Sequence, residues 1–266
     1  MMKMKKMKMN MNLKCKKMSI SLPTKKVPAL IQDPKNLILY GVPKIGKTTI
    51  LSHLENCLII DIESGSDYID ALKVKVNNLA ELKELCLEIN KAGKPYKFIA
   101  IDTVSTLEEF AKPIALAAYK KTPAGANYEG DILLAPMGSG YAYVREAVEK
   151  IIAMISSVTT NVILVGHVKD KSIVNSSGSE IGNIKDFDLT GKLGRILAAK
   201  SDAIGFIYRD EDSNLCINFE TNGEATAGAR PDHLANKRII VSEKTESGFI
   251  SHWNRIFPSL NNVNND

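Results

Sequence analysis

The chain is short of the features that mark secreted, membrane-bound and disulfide-held proteins. It has four cysteines, Cys15, Cys57, Cys86 and Cys216, with no paired spacing. A disulfide framework is therefore not expected, and Cys57 and Cys86, set in apolar patterns, read as reduced core residues. No run of 18 apolar residues occurs, so no membrane-spanning helix is expected. The opening segment lacks the apolar core of a secretory signal and the arginines of a transit peptide. Together these absences point to the cytoplasm. No internal repeat is found.

Excess positive charge is also missing from most of the chain, although the formal net charge is +5. Residues 1–26 hold nine lysines and no acid, and nine charges there against +5 overall leave residues 27–266 at about −4. A broadly basic DNA-binding surface is thereby not supported, and any nucleic-acid contact is expected to be local. The low-complexity opening MMKMKKMKMNMNLKCKKM makes residues 1–26 read as a disordered basic tail. Residues 27–258 are long enough for one sizeable core and read as a single domain. The polar end NNVNND reads as a frayed tail over 259–266.

What is present is a series of short, nearly continuous apolar runs: NLILYG (36–41), CLIID (57–61), KFIAID (97–102), NVILVGHV (161–168) and AIGFIY (203–208). Strands buried on both faces of a parallel sheet have this pattern. Helical periodicity appears in 79–93 and in 144–158, where Val144, Val148, Ile151, Ile152 and Ile155 share one stripe. The alternation predicts βαβ units and a three-layer α/β fold around a mainly parallel sheet. AIGFIYRDEDSNLCINFE predicts a C-terminal antiparallel hairpin turning at DEDSN, with KRIIVSE (237–243) as an edge strand. Residues 122–140 and 170–192 have loop composition, and loops of that length inside a domain are usually functional or disordered.

The stretch Gly41–Thr48 fits G-x-x-x-x-G-K-[ST] between a strand and a helix. Its glycines let successive backbone N–H groups face phosphates, and the following helix adds the positive end of its dipole. Gly41, Val42, Pro43, Lys44, Ile45, Gly46, Lys47, Thr48 and Thr49 are thus expected to bind a nucleotide. Lys47 would reach the β- and γ-phosphates and the Thr48 hydroxyl would bind Mg²⁺. Asp102, at the end of its strand, is the expected partner for the metal, and capping of the next helix is the alternative. Asp61 and Glu63 are two apart and would share a strand face. Glu63, nearer the edge where ligands bind in α/β sheets, is the expected water-activating base. His167, leading from an apolar run into a polar stretch, reads as a γ-phosphate sensor, with a satisfied structural histidine as the alternative. No guanine-reading Asn/Thr-Lys-x-Asp element occurs, which favours ATP over GTP. Lys44 is an extra cation whose partner is left open between phosphate, a neighbouring subunit and solvent.

The order of these features (GVPKIGKTT, IDIES, IAIDTVSTL, a long helix, ILVGHVKD and a polar stretch) resembles the RecA-like ATPase core over residues 35–245. More closely it resembles the phage nucleotide-binding AAA-type proteins of the Sak group, which act in DNA annealing and recombination. The resemblance implies ATP and Mg²⁺ as ligands, single-stranded DNA as a partner, and homo-oligomers in rings or filaments. It implies the host cytoplasm if the chain is phage-encoded. It implies that Glu63 is the catalytic base. It also implies that His167, where the family usually has glutamine, couples the γ-phosphate to a DNA loop at 170–192, with 122–140 as a first loop. The acids of 170–192 offset its lysines, which departs from a basic DNA funnel. Tyr128, Tyr141 and Tyr143 are candidates for base stacking. A cation from a neighbouring subunit completes such sites; Arg230 is the choice here, with Lys237, Arg238, Arg195 and Lys200 as competitors.

Two other readings stay open. A P-loop phosphotransferase acting on a small molecule would bring an arginine-rich lid, and 170–202 holds only Arg195. A scaffold that binds ATP and hydrolyses it slowly would not depend on Glu63.

Overall fold

The computed structural model describes residues 22, 24–27, 33–174, 180–246 and 248–265. It has two compact units, Met1–Leu30 and Ile31–Asp266. In the first, residues 22 and 24–27 are exposed, and the rest of the expected basic tail lies outside the described residues.

The second unit is an α/β structure built on strands β1 (Asn36–Gly41), β2 (Cys57–Asp61), β3 (Lys73–Lys75), β4 (Phe98–Asp102), β5 (Asn161–Val174), β6 (Glu180–Phe187), β7 (Ala203–Arg209), β8 (Leu215–Asn218), β9 (Gly228–Ala229), β10 (Arg238–Thr245) and β11 (Gly248–Ser251). Its helices are α1 (Lys47–Ser52), α2 (Leu79–Lys91), α3 (Val104–Tyr119), α4 (Gly140–Ser156) and α5 (Leu193–Lys200). The sheet runs β11-β10-β8-β7-β1-β5-β4-β2-β3. From β7 to β3 all neighbours are parallel, and β8, β10 and β11 add an antiparallel extension. The five apolar runs are the five central strands. β5 is inserted between β1 and β4, so the strand carrying His167 lies between the two carrying the P-loop and Asp102.

Burial explains the continuous apolar runs, because alternate residues of each central strand enter different cores. Ile38, Tyr40, Ile60, Ile99 and Ile101 meet Leu82, Leu107, Val148 and Leu197 from α2–α5. Leu37, Leu39, Ile59, Phe98 and Ile163 face the other way, onto Ile50 and Leu51 of α1 and onto Trp253, Ile256 and Phe257. This second face is covered by one short helix and the C-terminal segment rather than by a helical layer. Trp253 is tied to the first helix directly: its indole N–H donates to the Ile50 carbonyl at 2.8 Å. Cys57, Cys86 and Cys216 are free thiols in the interior.

Four expectations need correction. The polar stretch 170–192 is not a loop. β5 continues to Val174 and β6 returns antiparallel beside it, with 175–179 outside the described residues. The charges that gave it loop composition face one another across the two strands and their base: Lys185 with Asp170 at 2.5 Å, Lys171 with Asp186 and Lys169 with Asp188 at 3.3 Å. Second, 122–140 is the irregular connection expected, with short 3-10 segments at Ile132–Leu134 and Pro136–Gly138, but two of the tyrosines offered for base stacking pack within the chain. In it Tyr128 packs edge-on to Tyr119, which also meets Tyr143. Third, β10 is not the edge, since β11 pairs outside it. Fourth, the segment expected to fray from 259 is held at its start. Ser259 N–H donates to Asp33 at 3.0 Å, the Ser259 hydroxyl bonds the same carboxylate, and Lys97 donates to that hydroxyl at 2.5 Å. Among the described residues no helix is long and apolar enough to cross a membrane.

Candidate active site

The carboxyl ends of β1, β2 and β4, with β5 at His167 where it leaves the main sheet, open onto a cleft of about 380 Å³. Pro43, Lys44, Gly46, Lys47, Thr48, Thr49, Asp61, Glu63, Asp102, Thr103 and His167 all line it. Residues spread from 43 to 167 in the sequence are thus gathered by parallel strands that end at one edge, where α/β sheets bind ligands.

The loop is shaped by its glycines. A Cβ on Gly41 would stand 2.7 Å from the Ile207 carbonyl oxygen of β7, so only glycine lets the loop leave the sheet there. Gly46 holds φ 112°, a conformation suited to glycine. Helix α1 has six residues, so the loop amides contribute more to an anion site than a long dipole would. Lys47 is buried, with 7% of its surface exposed. Its ammonium donates to the carbonyls of Gly41 and Val42 at 3.0 Å each, curled back along the loop. Burial pulls its pKa below the ordinary lysine value, while Asp102 and then Glu63 push it up.

Thr48 and Asp102 meet: the hydroxyl donates to the carboxylate at 2.5 Å. Burial pushes the Asp102 carboxyl up, and the Thr48 hydrogen bond opposes that. A hydroxyl and a carboxylate at the end of a phosphate loop fit Mg²⁺, which keeps few protein ligands and takes phosphate oxygens as well. Among the described residues no cluster of three His, Cys, Asp or Glu side chains could hold a metal by itself.

Asp61 and Glu63 do not share a strand face, because β2 ends at Asp61 and the chain bends. Asp61, 3% exposed, turns into that bend. Its carboxylate accepts from the N–H groups of Glu63, Gly65 and Ser66 and from the Ser66 hydroxyl, at 2.5–3.2 Å. Burial raises its pKa, but the hydrogen bonds, led by Ser66, outweigh this and hold it below the ordinary carboxylate value. Asp61 thus shapes the bend that presents Glu63. Glu63 Oε1 accepts from the Thr103 hydroxyl and, at 3.1 Å, from Thr106. Its Oε2 lies 3.4 Å from His167 Nε2. The sequence reading missed Thr103 and Thr106; their place at the N-cap and in the first turn of α3, just after Asp102, was the available signal.

His167 marks where β5 leaves the sheet. It is the last β5 residue paired with β1, opposite Gly41, and the next residue pairs with β6. Its carbonyl accepts from Asp188 N–H at 3.0 Å. The neighbouring Gly166 is covered by the Phe187 ring, which a Cβ there would meet at 2.0 Å. The base of the β5–β6 arm therefore rests on the His167 backbone.

Arg230 is not brought to the cleft. Its guanidinium lies 3.4 Å from Asp202 and donates to the Ala199 carbonyl at 2.6 Å, beside the start of β7 at the opposite edge of the sheet. Among its competitors, Lys200 pairs with Glu149 and Arg238 with Glu220 and Glu224. Arg209, which the sequence reading passed over, flanks the loop: a Cβ on Gly46 would stand 3.3 Å from its Nη2, and it lies over the Phe249 ring.

Residues 33–248 match the family model described as an AAA domain. The chain belongs to this AAA domain family. The match spans the P-loop, Glu63, Asp102, His167 and the antiparallel extension. No curated protein matches the chain. Among solved structures, the crystal structure of the RadB recombinase is similar at 10% identity and a TM-score of 0.43, covering 83% of this chain and 92% of that one, a distant likeness.

Proposed function

We propose that this AAA domain protein is a Mg²⁺-dependent ATPase of RecA-like type, acting in phage-type DNA recombination, annealing or repair as the resemblance to the Sak group implies. The observation that supports it is the meeting of Lys47, Thr48, Glu63, Asp102 and His167 in one cleft. ATP phosphates would lie along the loop amides, and Lys47 would exchange its carbonyl partners for phosphate oxygens. Mg²⁺, when bound through Thr48 with Asp102 behind it, supplies charge neutralisation at the β- and γ-phosphates.

Glu63 orients the attacking water and takes its proton as the water oxygen bonds the γ-phosphorus and ADP leaves. Its hold on Thr103 and Thr106 fixes one carboxylate oxygen and leaves the other toward His167. A γ-phosphate competes with Glu63 for His167 Nε2, so the imidazole has one partner with ATP bound and another after release. Because Asp188 N–H bonds the His167 carbonyl and the Phe187 ring covers the neighbouring Gly166, that exchange is passed to the arm, which carries the contact with single-stranded DNA. Head-to-tail assembly would bring a cation from a second copy. Arg230, at the opposite edge, remains the choice for that role, and Arg195, exposed in α5, is its rival.

ATP turnover by the purified chain with and without single-stranded DNA tests this reading. Turnover should rise severalfold with DNA at low salt. Turnover that needs a small-molecule acceptor and ignores DNA would replace it with the phosphotransferase reading.

A further inference from the structure

We propose that Lys44 is a γ-phosphate ligand supplied by the loop itself, so that this site tells ATP from ADP with a cation that no second subunit has to bring. The inference rests on the ATPase reading above and assigns the residue that the motif leaves without a role.

Lys44 holds φ 64°, in the left-handed region that glycine occupies at no steric cost and other residues enter rarely. A long side chain kept there is strained backbone, and such strain collects at ligand clamps and switch regions. The side chain is exposed and lines the cleft with Lys47, Glu63, Asp102 and His167. Among the described residues it makes no hydrogen bond or ion pair, whereas nearby lysines are engaged: Lys47 by two loop carbonyls and Lys73 by the carbonyls of Ser66 and Ile69.

The charge balance says what it is for. The cleft presents Asp61, Glu63 and Asp102, and its lining holds two lysines, Lys44 and Lys47. Lys47 is curled along the loop and serves the phosphates nearest the backbone. The γ-phosphate, which must sit by Glu63 and His167 to be attacked, is the most charged group, and it shares Lys47 and Mg²⁺ with the β-phosphate while facing Glu63 and Asp102. Lys44 is an ammonium free to take it, and a charge-assisted hydrogen bond is the strong kind. Removal of the γ-phosphate on hydrolysis removes its partner.

The experiment is calorimetric titration with MgADP and with the non-hydrolysable analogue MgAMPPNP, on the parent chain and on Lys44→Ala, Lys44→Gly and Lys44→Arg. Both Lys44→Ala and Lys44→Gly should weaken AMPPNP by about tenfold and leave ADP unchanged, and Lys44→Arg should keep the preference. Glycine fits φ 64°, so Lys44→Gly should unfold at no lower temperature than the parent, which separates lost phosphate contact from lost structure. Adding Lys47→Ala chains, whose Lys44 is intact, should not restore the AMPPNP affinity of Lys44→Ala; restoration would overturn the assignment in cis. Equal affinities of the Lys44→Gly chain and the parent for AMPPNP, or an equal loss for both nucleotides, would overturn the proposal. If the parent bound neither nucleotide, the ATPase reading would fall first and this inference with it.

Discussion

Lys47→Ala should lower ATP turnover at least about 100-fold and weaken nucleotide binding in the same samples. The reason is not charge alone. Lys47 is nearly buried, and its ammonium is already stripped of water and held by two loop carbonyls. A desolvated cation acts on a phosphate through a low effective dielectric, where Coulomb attraction is several times stronger than in bulk water. Truncation also removes a counter-charge of Asp102 and Glu63, the two acids that push the Lys47 pKa up, and so brings them closer to unopposed repulsion of the phosphates. Turnover assays and calorimetry check both effects, and full activity in the variant would mean that the loop does not hold the phosphates.

Glu63→Gln should separate chemistry from binding. The amide keeps an oxygen to accept from Thr103 and Thr106, so the bend and the cleft persist. What is lost is the ability to take a proton from water, and general-base catalysis contributes about 10²–10⁴-fold. Turnover should therefore fall by that factor while ATP affinity stays near that of the parent. Unchanged turnover would favour the slow-hydrolysing scaffold, in which Glu63 is an ordinary acidic turn residue.

Much of this site could be read from the sequence, and the parts that could not share a physical cause. The P-loop and the five central strands were legible because burial on both faces forces continuous apolar runs, and because the turn out of β1 demands glycine, at Gly41 for the close Ile207 carbonyl and at Gly46 for its φ of 112°. Asp102 and His167 were legible as polar residues closing such runs. The β5–β6 arm was not, because an arm outside the core carries no apolar run, and its alternating lysines and acids look like a loop until they are seen to pair across strands. The role of Asp61 was hidden for a similar reason. Three of its four hydrogen bonds come from backbone amides, those of Glu63, Gly65 and Ser66, which leave no side-chain signature, and the fourth comes from the Ser66 hydroxyl. Arg209 reaches the loop through β7, a neighbour in space that is far away in the chain, and Arg230 lies at the opposite edge because its segment pairs with the start of β7 rather than its end.

The measurement that tests the central claim most directly is the affinity of a labelled single-stranded oligothymidine for the chain, by fluorescence anisotropy at low salt, with MgAMPPNP and with MgADP. If the γ-phosphate state is passed through His167 to the arm, AMPPNP should tighten DNA binding severalfold over ADP, and His167→Ala should erase the difference while retaining nucleotide binding. Equal DNA affinity in the two nucleotide states, or no DNA binding in either, would contradict the account.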